Sequence, residues 1–332
     1  MSVLIGVDIG GSKTAVVLGR LSSSRSRIQI LDREAFPTYD PGAPESAPRQ
    51  TLERVVSAAR RLAGGHGVRH ELSAAGVSCG GPLDSKRGII LSPPNLPGWD
   101  GVPVVEILQE QLGVPASLQN DANACALAEW MYGAGRGCAS MIFLTFGTGM
   151  GAGLILDGRL YEGPHGMAGE VGHIRLAPAG PEGYGKPGSF EGFCSGGGIA
   201  RQARARAREL LDQGRPAPFC PSVEKLESLT ARELFDAARS GDPVAREIVS
   251  SCARRLGEGL AILVDILNPE RIVIGGIFAR AQELLLPAAQ AVIDAEALEI
   301  SRKACSIVPA GLGEQIGDYA ALSVAAHGCR GG

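Results

Sequence analysis

Three absences narrow this chain before any motif is considered. No apolar run approaches the roughly 20 residues that a membrane helix needs, so no membrane span or membrane partner is expected. No basic tract interrupts a formal net charge of −3 over 332 residues, so a nucleic-acid surface is not expected either. The eight cysteines, at 79, 125, 138, 194, 220, 252, 305 and 329, form no C-x-x-C pair. They read as reduced, mostly buried small hydrophobes, not as a disulfide framework. The chain opens Met1-Ser2-Val3-Leu4-Ile5-Gly6-Val7-Asp8 with neither a basic n-region nor an apolar h-region, so no signal peptide is read and a cytoplasmic location is expected.

What is present is ordinary globular composition, 45% hydrophobic and 20% charged, on a chain long enough for two domains. Residues 3–19 read as strand, glycine turn, strand, with Gly10, Gly11 and Ser12 at the turn and Asp8 closing the first strand. Gly-Ser-Lys-Thr is not a Walker A motif, because Ser12 stands where Gly must precede Lys13 and a strand follows where a helix is needed. A hairpin tip remains whose backbone N–H groups can cradle phosphate. Residues 141–156 repeat the pattern: an apolar strand into Thr145, then Gly147-Thr148-Gly149-Met150-Gly151, then a second strand. This is not the dinucleotide fingerprint. Laying Gly10 on Gly147 sets Asp8 on Thr145, which suggests an internal duplication whose two tips could hold one polyphosphate from both sides.

Between and beyond these units, helices are expected over 51–63, 104–112, 123–132, 199–211, 243–267, 279–297 and 318–327, and strands over 74–79, 115–118, 271–274 and 306–309. Gly257 and Gly259 inside the long helix fit close packing against a neighbour. The segment 92–99 is stiffened by Pro and Gly, and its Asn95 and Trp99 are side chains that suit a polar, ring-shaped ligand; a plain surface loop is the equal alternative. Glu170 and His173, three apart among glycines, read as a ligand-binding loop. The strand–Gly275-Gly276–helix unit is either a nucleotide wall or a plain βα turn. At Gln119-Asn120-Asp121-Ala122-Asn123 a strand meets a helix, and Asn120 and Asp121 suit N-capping. Asp121 can equally serve as a general base, with an ordinary carboxylate ionised at neutral pH.

Together these residues resemble the ROK family of bacterial sugar kinases, in the actin/hexokinase-like superfamily, over nearly the whole chain. DIGGSK (8–13) and TFGTGMGAG (145–153) look like its two phosphate loops, GEVGH (169–173) like its sugar-binding E-x-G-H, SPPNLPGWDGVP (92–103) like its S-P-N-x-x-x-W segment, and GGIFA (275–279) like its adenosine-side turn. The resemblance implies a two-domain α/β, actin-like (ribonuclease H-like) ATPase fold with an interdomain cleft. The expected domains are 1–118, completed by a C-terminal helix at 318–332, and 119–317. It implies ATP-dependent phosphorylation of a hexose hydroxyl, glucose first, with an N-acetylhexosamine or another hexose as alternatives. Asp121 would be the base. Gly81, Asn95, Asn120, Glu170, His173 and Glu191 would bind sugar. Asp8, Gly10, Gly11, Ser12, Lys13, Thr145, Gly147, Thr148, Gly149, Gly275 and Gly276 would bind nucleotide, with Asp8 anchoring Mg²⁺ through water. A homodimer is implied as well.

One departure stands out. The family usually carries C-x-C-G-x-x-G-C-x-E after E-x-G-H, for a structural zinc. Here the three cysteine positions hold Glu182, Tyr184 and Ser189, while Gly185, Gly188 and Glu191 are kept. No thiolate site can be built from these residues, so no zinc is expected. Other members are repressors with a helix-turn-helix ahead of this domain. A first strand that begins by residue 3 leaves no room for one, which weighs against a regulator; a non-catalytic sugar-binding sensor is the alternative of a different class, and the intact Asp8, Asp121 and both phosphate loops argue against it.

Overall fold

Alternation along the first strand decides what faces what. In β1 (Ser2–Ile9), Val3, Ile5, Val7 and Ile9 enter one core cluster, while Leu4 enters another and Gly6 and Asp8 share its side of the sheet. The computed structural model describes residues 2–38 and 47–329. β1 turns at the first glycine tip into antiparallel β2 (Lys13–Leu21), which pairs with β3 (Ile28–Pro37). No expected element corresponds to β3. Asp32, Arg33 and Glu34 break its apolar pattern, as an edge strand permits, and β3 is the edge of a five-stranded sheet. Helix α1 (Ala47–Gly65) buries Leu52, Val55, Val56, Ala59, Leu62 and Ala63 at helical spacing against this sheet. β4 (Leu72–Cys79) then runs parallel to β1. A small sheet of β5 (Leu83–Asp84), β6 (Ile89–Leu91) and β7 (Asp100–Val102) precedes α2 (Val104–Leu112). β8 (Ala116–Asn120) completes the parallel set β1–β4–β8 and leads into α3 (Asp121–Tyr132).

The second half begins in the same way. β9 (Met141–Leu144) leads into the second tip, and β10 (Ala152–Leu156) and β11 (Arg159–Tyr161) form an antiparallel hairpin after it. A two-stranded ribbon of β12 (Glu182–Gly183) and β13 (Lys186–Pro187) is followed by α4 (Phe190–Cys194), α5 (Gly196–Asp212), α6 (Val223–Ser228) and α7 (Ala231–Arg239). The long helix α8 (Pro243–Leu267) starts where the Asp242 carboxylate accepts from Ala245 N at 2.8 Å, and it ends at Asn268 in the left-handed region. A Cβ on Gly257 would lie 2.5 Å from Ala289 O, and one on Gly259 2.4 Å from the Phe190 ring, so the close packing expected of both is present. β14 (Arg271–Ile274) runs parallel to β9, α9 (Ile277–Glu296) and α10 (Glu299–Ala304) follow, and β15 (Ser306–Pro309) runs parallel to β14. Each glycine tip is therefore fed by a strand that heads a three-stranded parallel set, β1–β4–β8 and β9–β14–β15, as an internal duplication requires.

The last helix, α11 (Ile316–Gly328), lies on the β1 sheet because small residues let it. Cβ atoms on Gly6 and Gly76 would meet the α11 backbone at 2.9 and 2.2 Å. Two compact units result: residues 1–138, 153–168 and 311–332, and residues 139–152 and 169–310. The division expected at 118/119 differs from this one because α3 packs on α11 through Ala124, Ala128, Ala320 and Val324, and the β10 glycine, Gly153, admits the Ala122 carbonyl. Among the described residues, no helix is long and apolar enough to cross a membrane.

Candidate active site

In the first unit, alternation places Asp8 on the α11 face of the sheet, and α11 answers with a glycine. A Cβ on Gly317 would stand 2.9 Å from Asp8 Oδ2. Asp318 follows in the first turn of α11, where a carboxylate suits the helix N-terminus, and accepts from Arg33 Nε at 2.8 Å. Burial raises the Asp8 carboxyl to about 6, helped by the negative charges of Asp121 and Asp318; the Arg33 guanidinium and the Ser78 hydroxyl pull the other way. Asp121 is open to solvent, yet protein crowds its carboxyl densely enough that desolvation lifts it above the ordinary carboxylate range, against a hydrogen bond from Ala122 N at 2.8 Å. The sequence-based expectation of an unshifted carboxylate is thus corrected.

Capping at this corner belongs to Asn120, whose Oδ1 accepts from Ala122 N at 2.9 Å. That leaves the Asn120 Nδ2 group, on the side of Gly81, to meet a ligand. In the first tip Gly10 N–H closes the turn on Lys13 O at 3.0 Å. The backbone carbonyl of Asn95 lies 2.6 Å from where a Gly11 Cβ would stand, so only glycine lets the 92–99 segment reach the tip. Asn95, Ser12 and Lys13 are exposed. Trp99 is not a ligand contact: at 1% exposure it is a core side chain beside Leu96 and Ile90. The reason is apolar area, which outweighs its single N–H.

In the second unit the tip is held on three sides. Gly196 N donates to Gly147 O at 2.7 Å and Gly197 N to Thr148 O at 3.2 Å, so the first turn of α5 takes up the tip's carbonyls. Gly275 N donates to Leu144 O at 2.9 Å and Ile277 N to Phe146 O at 2.7 Å; Gly276, at φ 61°, would place a Cβ 2.1 Å from Phe146 O. Met150 N donates to Glu191 Oε2 at 3.0 Å. Gly147 N–H turns inward to Gly149 O at 3.2 Å, and among the described residues nothing accepts from the Thr148 and Gly149 amides. The crest expected of Gly147–Gly149 therefore reduces to those two, plus the exposed Thr148 hydroxyl. Thr145 Oγ1 braces the exit, accepting from Gly151 N at 2.8 Å. Glu170 and His173 are both exposed on a loop packed backbone to backbone on that exit: Cβ atoms on Gly169 and Gly172 would meet Ala152 O and Met150 O at 2.1 and 2.2 Å. Glu191, expected on sugar, has one carboxylate oxygen committed to the tip.

The family model described as the ROK family matches residues 4–327. The chain belongs to the ROK family. A glucokinase of Halalkalibacterium halodurans is 35% identical over 85% of this chain and 82% of that protein. The solved structure of a ROK hexokinase from Thermus thermophilus is 32% identical, with a TM-score of 0.79, covering 99% of this chain and 100% of the other. A ROK glucokinase from Streptomyces griseus, solved with glucose and AMPPNP, is 30% identical with a TM-score of 0.73, covering 98% and 100%. The fold is that of the actin-like ATPases, as expected from the motifs.

In this ROK chain hydrogen bonds hold the segment that contains Glu182, Tyr184 and Ser189. Lys186 Nζ donates to His173 O at 2.7 Å, Arg175 Nη1 to Pro187 O at 2.6 Å, and Arg201 to Glu182 O. Gly188 N donates to Pro181 O at 3.0 Å, and Ser189, at a cysteine position, caps α4 by accepting from Gly192 N at 3.1 Å. Cationic side chains on carbonyls thus do the bracing. Sequence reasoning missed Asp318, Arg33, Ser78 and Glu129. Glu129 is fully buried on α3 and accepts from Ala134, Gly311 and Leu312 N at 2.7, 3.1 and 3.0 Å, which fixes the approach to α11. The only signal available for it was an acid inside the apolar run ACALAEWMY at 124–132.

Proposed function

We propose that this ROK protein is an ATP-dependent sugar kinase of the glucokinase type, with Asp121 as general base. The carrying observation is the Asp121 carboxyl, open to solvent at the head of α3 and raised by desolvation beside Asp8. A carboxylate whose proton affinity is raised accepts a hydroxyl proton more readily than an ordinary one. The relatives named glucokinase, one of them solved with glucose and AMPPNP, give the substrate class.

Phosphoryl transfer depends on positioning and charge stabilisation. Asp121 takes the proton of the attacking sugar hydroxyl. Asn95, the Asn120 amide, Glu170, His173 and the uncommitted oxygen of Glu191 orient the sugar, with Gly81 leaving room beside Asn120. The crest amides of Gly11, Ser12, Thr148 and Gly149 hold phosphate oxygens, with the Lys13 ammonium beside the first tip, and the Gly275–Gly276 turn flanks the nucleotide. Asp8, beside the charges of Asp121 and Asp318, would be the residue to anchor Mg²⁺ through water. When bound, that ion would neutralise phosphate charge. ADP release measured with a panel of hexoses tests the reading. Asp121→Ala is expected to lose about 10²–10⁴-fold in turnover while sugar affinity is kept. Near-normal turnover ends the base assignment, and tight sugar binding by the wild type without any turnover makes the protein a sensor.

A further inference from the structure

One polar network in the first unit is not used by the chemistry above. Glu162 follows β11, and its Oε1 accepts from Ser85 Oγ at 2.8 Å and from Gln119 Nε2 at 3.0 Å. Gln119, 7% exposed, turns its own Oε1 to Asn120 N at 2.8 Å and Asn123 Nδ2 at 3.1 Å. Its orientation is forced: rotated by half a turn, the amide would set N–H groups against two donors and its oxygen against a carboxylate. Gln119 is thus an adaptor between a carboxylate and the backbone N–H of the residue before Asp121. The same Glu162 closes a loop with its carbonyl, which accepts from Ala168 N at 3.0 Å, while Lys86 Nζ donates to Pro164 O at 3.2 Å. From that loop the chain runs directly into Gly169–His173.

A side chain of similar size without polar atoms would fill this space at lower cost, and half-satisfied buried networks are costly. We propose that Glu162 and Gln119 are positioning residues for phosphoryl transfer. They fix the Asn120–Asp121 corner, and they tie to it the 162–168 segment that precedes the Glu170 and His173 loop. The inference rests on the kinase reading. An error of about 1 Å in placing a catalytic group can cost on the order of 100-fold in rate, so loss of the network is expected in turnover and much less in binding.

The test uses the full chain. Glu162→Ala is expected to lower kcat about 10–100-fold with the KM for ATP changed less than about threefold, and to speed hydrogen exchange in residues 119–123. Glu162→Gln keeps an acceptor for both donors and is expected to stay within about threefold of wild type. Gln119→Glu sets carboxylate against carboxylate and is expected to behave like Glu162→Ala. The double variant Gln119→Glu/Glu162→Gln restores a donor–acceptor pair and is expected to recover turnover, a rescue that mere loss of stability would not give. Unchanged kcat and exchange in Glu162→Ala, or no rescue by the double variant, overturns the proposal. A wild type that turns over no sugar sinks the kinase reading instead, and exchange at 119–123 then decides whether Glu162 holds the corner.

Discussion

Asp8→Asn should make this protein more stable while making it a worse enzyme. The folded protein raises the Asp8 carboxyl from 3.8 to about 6. Between those values the native state holds a proton that the unfolded chain has released, so stability falls as pH rises across the window and the whole cost is present above it. At about 1.4 kcal/mol per pH unit, the shift corresponds to an upper bound of about 3 kcal/mol, which partial solvent access reduces. Asparagine keeps an acceptor for the Ser78 hydroxyl and removes the charge that Asp121 and Asp318 repel. Thermal unfolding without nucleotide or divalent cation, from pH 4 to pH 8, is the assay. The variant is expected to melt on the order of 5 °C higher at pH 7–8, and the gap is expected to close as pH falls to about 4. A gap that is absent at neutral pH, or that does not change with pH, refutes the account of an Asp8 charge disfavoured by burial and by the neighbouring Asp121 and Asp318.

Glu129→Ala removes the buried carboxylate that accepts from the Ala134, Gly311 and Leu312 N–H groups and is expected to cost about 2 kcal/mol or more, read by urea unfolding; a loss below about 1 kcal/mol would mean that the loop at 311–312 holds without it. Metal analysis of purified protein is expected to find no zinc, since Glu182, Tyr184 and Ser189 stand at the cysteine positions, and a zinc content near one per chain would overturn that expectation.

The chain's own order of residues determined a good deal. Glycine density and flanking apolar runs sufficed for both tips, for the helices at 104–112 and 243–267, and for the family, because turns and amphipathic helices depend on neighbours a few residues apart. The Asn120–Asp121 corner was legible for the same reason. What lay beyond reach were relations between residues distant in sequence. Trp99 read equally as a side chain suited to a ligand or as part of a plain surface loop, and the core that contains Ile90 and Leu96 encloses it. β3 was unreadable because the consecutive Asp32, Arg33 and Glu34 put charge on both of its faces. Asp318 came to Asp8 only because Gly6 and Gly76 let α11 lie on the sheet, and the pull of Arg33 on both depends on β3 pairing with β2. Local pattern thus chose the chemical groups, while tertiary packing set their charge state, since a carboxyl's proton affinity answers to burial and to neighbouring charges that no sequence window contains.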